Sequence, residues 1–282
     1  MRKALLTIAL LFGLASLVPM QAQRDLQVAT SEGTAAASLE ELAQLAEDGT
    51  PVMLWNNGRG FYIENGFNAS GAPLLSLWTP FEAGAVSTNL FLWRLEKAEG
   101  DNNYRLLSLA DGKYMYMADA SPSLCSTVSP DENTPEVFTI TPVNEEIHTY
   151  CLMANNVTTE NRYLNGNGGG GAGHDQCTVV GWSSTTGNSE YKIMVPEVTT
   201  KTLYSIVYSF NFYDGNSNDL LQNKGLDALI PSAVANSEDG TITAEASIGD
   251  TVSLPSYSNT VIRNAMMGDT QVTDSATFEL TE

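Results

Sequence analysis

Short apolar runs separated by clusters of Gly, Asn, Asp and Ser recur from Pro51 to Val195, and each reads as a strand followed by a turn. They fall into three sets of four. The first set is Pro51–Trp55, Gly60–Ile63, Pro73–Trp78 and Phe91–Leu95. The second is Tyr104–Leu109, Lys113–Tyr116, Leu124–Val128 and Val137–Ile140, and the third is Thr149–Met153, Arg162–Leu164, Cys177–Trp182 and Tyr191–Val195. Aromatic residues of the second runs (Phe61, Tyr114, Tyr163) and of the closing runs (Trp93, Phe138, Tyr191) recur with a period of about 50 residues, which marks an internal repeat. The closing runs alternate: Phe91, Trp93 and Leu95 on one side, Leu92 and Arg94 on the other. One four-stranded unit cannot bury its apolar face alone. Three units are therefore expected to close about a pseudo-threefold axis, with Trp93, Phe138 and Tyr191 sharing one core.

The flanks read differently. Arg24 to Ala37 is polar and rich in small residues, so 23–47 is expected to be a loose linker followed by a short helix. Ser38-Leu39-Glu40-Glu41 has the form of a capping box, with Leu39, Leu42 and Leu45 or Ala46 on one helical face. Asp48-Gly49 ends the helix. After Pro196, Lys201 to Tyr213 alternates as a long strand, and Thr241–Ala246, Thr251–Leu254, Thr260–Ile262 and Ala276–Leu280 are strand-like and separated by turns. Residues 199–282 thus read as a second all-β module.

Three repeats of this length, each ending in an aromatic-x-aliphatic strand, resemble the β-trefoil domains of the ricin B-type lectin superfamily. Tyr163-Leu164-Asn165-Gly166 and Gly181-Trp182 are similar to pieces of trefoil domains in exported proteins of Gram-negative bacteria. The family's Gln-x-Trp marker is absent from all three closing strands. The resemblance spans about Asp48 to Val198 and implies an all-β fold. That fold is a β-trefoil of three four-stranded repeats over 48–198, followed by a small β-sandwich or β-grasp-like module.

Arg2 and Lys3 precede the apolar run Ala4 to Val18, and Pro19-Met20-Gln21-Ala22 offers cleavage after Ala22, so 1–22 reads as a signal peptide. The run falls short of the roughly 20 residues of a spanning helix. The mature chain is expected to be exported, either secreted, surface-bound or periplasmic, without membrane insertion. Its formal charge is −20, and loss of Arg2 and Lys3 takes it to −22 (−20 − 2). Such a surface repels phosphate backbones, which excludes nucleic acid as a partner. Cys125, Cys151 and Cys177 lie inside apolar runs, as small buried hydrophobes do.

No catalytic constellation emerges. His148 and His174 are the two histidines, and His174-Asp175-Gln176-Cys177 sets its side chains on opposite strand faces where nucleophilic catalysis needs convergence. The glycine-rich run Gly166 to Gly173 lacks the Lys-Ser/Thr of a phosphate loop. Asp214-Gly215-Asn216-Ser217-Asn218-Asp219 spaces oxygen ligands as calcium loops do, but Gly225 stands where the closing acid belongs. No metal, cofactor or enzymatic activity is expected. Sugar sites combine an aromatic face with amide side chains, and Trp182, Asn165 and Asn167 can converge so within the third repeat, with Trp78 as the counterpart of Trp182 in the first. The expected function is non-catalytic binding of a glycan or cell-surface polysaccharide. The alternative is a structural or adaptor module of a larger surface protein with no small ligand, and exposure of Trp182 and Trp78 separates the two.

Overall fold

The computed structural model describes residues 14–18, 23–67, 73–77, 79–120, 123–131, 134–168, 177–209, 234–236, 241–247, 251–253, 264–267, 270–272 and 277–279. Trp78, His174, the glycine-rich loop after Gly168 and the Asp214–Asp219 run lie outside them. The chain divides into two units, Leu26–Thr200 and Met1–Asp25 with Lys201–Glu282.

Six antiparallel pairings in the larger unit close a barrel. Pro51–Asn56 pairs with Trp93–Lys97, which pairs with Asn103–Ser108, which pairs with Phe138–Asn144. Phe138–Asn144 pairs with Thr149–Ala154, that strand with Tyr191–Val195, and Tyr191–Val195 returns to Pro51–Asn56. Each repeat therefore gives its first and fourth strands to the barrel. The second and third strands form a hairpin in two repeats, Tyr114–Met117 with Cys125–Val128 and Tyr163–Gly168 with Cys177–Trp182. In the first, the expected strand Gly60–Ile63 is reduced to Phe61–Tyr62, which pairs back with Pro51–Asn56, and the hairpin is made by Glu64–Phe67 with Pro73–Ser76. A six-stranded barrel with three capping hairpins in threefold arrangement is a β-trefoil. Closure leaves the barrel without free edges, which removes the unpaired backbone groups an open sheet must protect.

Alternation decides what fills the centre. Trp93 and Leu95, Phe138 and Ile140, and Tyr191 and Ile193 are fully buried in one cluster, so the three closing strands do share a core. The Trp93 indole Nε1–H donates to the Ile63 carbonyl at 3.4 Å, satisfying the one polar atom its burial would strand. Phe91 departs from the expected alternation. It ends a 3₁₀ turn, Val86–Phe91, and not a strand, so it turns away from Trp93. With Leu92 it packs into a second cluster holding Met53 and Tyr62. Cys125 and Cys151 are buried free thiols, and burial pushes both upward in pKa, which leaves them packed and unreactive.

The helix spans Leu39–Asp48, with Leu42 and Leu45 buried. Ser38 Oγ accepts from the Glu41 amide at 3.1 Å, while Glu41 Oε2 accepts from Ala37 N–H at 2.7 Å, one residue before the cap amide expected from the sequence. The segment expected to be a loose linker is ordered instead. Gln23–Ala29 is a strand, and Thr34–Ala35 pairs with Met194 and Val195. Val28, Ala29 and Ala36 are fully buried, with Ala36 in the main core and Ala29 in the cluster around Met53 and Tyr62.

In the other unit, Leu203–Ser209 pairs with Thr241–Ser247 and, at Val207 and Tyr208, with Leu14–Val18, and Leu14–Val18 runs parallel to Asn264–Met267. Thr251–Ser253 pairs separately with Thr277–Glu279. This sheet uses Leu14–Val18, which cleavage after Ala22 would remove. No helix among the described residues is long and apolar enough to cross a membrane.

Candidate functional site

Strand register places Trp182 opposite Tyr163, with Asn165 opposite Val180 and Asn167 opposite Thr178. Residues two apart on a strand point to the same face, so Asn165, Asn167 and Trp182 lie on one side of the hairpin. That side is one wall of a recess of about 390 Å³, completed by Ser184, Thr186, Asn188 and Arg59. Trp182 is 53% exposed, unusual for so large an apolar ring.

A chain of hydrogen bonds builds the floor. Asn165 is buried, and its Nδ2 donates to Ser189 Oγ at 2.8 Å, tying the strand to the 3₁₀ turn Gly187–Ser189. Asn56 is fully buried in the first strand of the first repeat. Its Nδ2 donates to the Asn188 carbonyl at 2.8 Å and its Oδ1 accepts from the Arg59 amide at 2.8 Å. One side chain thus couples the turn after Asn56 in the first repeat to the turn before Tyr191 in the third. Glu190 holds that turn from the other side: Oε1 accepts from Gly187 N–H at 2.9 Å and Oε2 from the Thr149 hydroxyl at 3.1 Å.

Arg59 reaches the recess by lying across Gly166. Its Nε donates to the Gly166 carbonyl at 2.9 Å. A methyl group at position 166 would stand 3.0 Å from Arg59 Cγ and 2.7 Å from Leu77 Cδ1, so the arginine stem occupies the space a side chain would need.

Three of the four side chains singled out in the sequence therefore line one recess, and the fourth, Trp78, lies outside the described residues. Asn165 differs from expectation in kind: one hydrogen of its amide is given to Ser189, so it also positions the wall. Asn188 and Arg59 were not legible. Asn188 sits in a turn with no motif, and Arg59 belongs to a hairpin 107 residues before Gly166.

A second concavity, about 580 Å³, lies between Ser38–Glu40 and the turn carrying Glu145 and His148. His148 has φ 55°, and its Nδ1 is buried without a partner among the described residues. Tyr150 on its wall is nearly fully buried and donates its hydroxyl to the Ala36 carbonyl at 3.0 Å. It presents no open aromatic face comparable to Trp182. Among the described residues no cluster of acids, histidines and cysteines could hold a metal ion.

Fold and site together define a β-trefoil with an aromatic-edged, amide-lined recess at the junction of its first and third repeats. No family model matches the chain, and no curated protein does. Solved structures with a related chain path include ricin B-like lectins. The Macrolepiota procera ricin B-like lectin in complex with lactose is 17% identical, with a TM-score of 0.41 over 52% of this chain and 96% of that one. The Rhizoctonia solani agglutinin is 16% identical, with a TM-score of 0.40 over 53% of this chain and 96% of that one. ThreeFoil, a designed threefold-symmetric protein, is 14% identical, with a TM-score of 0.38 over 51% of this chain and 97% of that one.

Proposed function

We propose that this chain is an exported, non-catalytic carbohydrate-binding protein that receives glycan in the Trp182 recess. The observation that carries the reading is the Trp182 ring, half in solvent, facing a wall of amides and hydroxyls. The electron-rich face of the indole accepts the weakly positive C–H patch of a pyranose. Asn167, Asn188, Ser184 and Thr186 line the same recess and carry donor and acceptor groups of the kind that sugar hydroxyls pair with.

The test is a glycan array read with the purified protein and with Trp182→Ala, folding being checked by circular dichroism. Loss of the indole should weaken binding at least tenfold, about 1.4 kcal/mol. An array on which the wild type binds nothing, or on which a folded Trp182→Ala variant binds equally well, ends the proposal.

A further inference from the structure

Building on the carbohydrate reading, we propose that the recess selects an anionic glycan, one whose carboxylate or sulfate group meets the Arg59 guanidinium. The chain carries 33 acidic and 13 basic residues, yet the described wall of this recess holds one arginine and no acid. Arg59 is anchored at two points and free at the third. Its amide is fixed by Asn56 Oδ1, and its Nε by the Gly166 carbonyl. No described residue accepts from Nη1 or Nη2, and neither atom is among the buried groups left without a partner. Arg59 lines the recess, and its two terminal amino groups form a planar fork that no described residue occupies.

That fork matches the two oxygens of a carboxylate or of a sulfate ester, and anchoring through Nε means little ordering remains to be done on binding. The overall negative charge does not cancel the attraction. At physiological ionic strength the screening length is about 8 Å, so acids beyond the rim are damped while a contact pair is not. Sugar hydroxyls satisfied by Asn167 and Asn188 fix the ring on Trp182, and Arg59 then reads the charged substituent at its edge.

The experiment is an array of matched pairs at 0.15 M salt, with each uronate-bearing glycan beside its carboxyl-reduced form and each sulfated glycan beside its desulfated form. The wild type should favour the acidic member at least tenfold, and whichever set shows it identifies carboxylate or sulfate as the source of charge. Arg59→Gln should bring the acidic-to-neutral ratio to within about twofold of unity, and Arg59→Lys, which keeps the charge without the fork, should leave an intermediate ratio. Equal binding of both members by the wild type overturns the inference and leaves the carbohydrate reading standing. A preference that survives in folded Arg59→Gln also overturns it. Binding of no glycan at all removes both.

Discussion

Gly181 pairs with Leu164 in the third hairpin, next to Trp182, and its N–H donates to the Ser123 carbonyl of the second repeat at 2.7 Å. Replacing it by alanine tests whether the hairpins pack as tightly as the fold implies. In an open strand the change would stabilise by roughly 0.5–1 kcal/mol, because glycine loses the most backbone freedom on folding. Here the new methyl would collide with the Asn161 carbonyl oxygen and stand 2.8 Å from Ser123 Cβ and 2.9 Å from Met117 Sδ. The first obstacle is backbone and cannot rotate away. Overpacking of this kind costs about 1–3 kcal/mol, and loss of the bond to Ser123 would add about 0.5–1.5 kcal/mol. Set against the entropic gain, the expected net destabilisation centres on about 2 kcal/mol, within a span of about 0.5–4 kcal/mol. With a urea slope of about 1–3 kcal/mol per molar, the midpoint falls by roughly 1–2 M. All four tryptophans, at positions 55, 78, 93 and 182, belong to the unit Leu26–Thr200, so their fluorescence follows that unit alone. Gly166→Ala is the comparison, because its nearest neighbours are side-chain atoms of Leu77, Arg59 and Asn56 and not backbone, and should yield more cheaply. A midpoint for Gly181→Ala equal to or above the wild type would refute the packing argument.

Two further outcomes follow from buried polar atoms. The Tyr191 hydroxyl is fully buried with no well-formed hydrogen bond; Asn56 beside it gives one Nδ2 hydrogen to the Asn188 carbonyl, and the second reaches the hydroxyl only weakly. Tyr191→Phe should therefore raise stability by about 1 kcal/mol in the same urea assay, and a loss of that size would mean the hydroxyl is satisfied after all. Glu136 is buried, with Oε1 accepting from the Val137 and Asn156 amides and Oε2 unpartnered. Burial holds its carboxyl above the ordinary range despite those backbone donors. A raised folded-state value means that the unfolded chain gives up its proton first. Stability from this group is thus complete below the ordinary value of 4.5 and is lost as pH climbs through the raised one. Glu136→Gln should flatten the change in melting temperature between mildly acid and neutral pH, and an identical pH profile for variant and wild type would exclude Glu136 as its source.

The sequence by itself determined the repeat, the alternation and one half of the site. Trp93, Phe138 and Tyr191 recur at matching places in runs that alternate, and burying alternate residues of similar strands around one axis has few solutions. Ser38 announced its helix because the cap is a bond between residues three apart. Trp182, Asn165 and Asn167 were legible together because a hairpin register follows from local pairing and the two-residue period of strands. Tertiary structure alone decided the rest. The 3₁₀ turn that rotates Phe91 away from Trp93 is set by packing against Met53 and Tyr62, and the seating of Ala29 and Ala36 depends on a wall built by strands far along the chain. Arg59 and Asn188 meet only because the barrel closes, bringing the first strand against the last. Their partners are a buried asparagine and a bare glycine, and neither residue carries a pattern in sequence that names what it will touch.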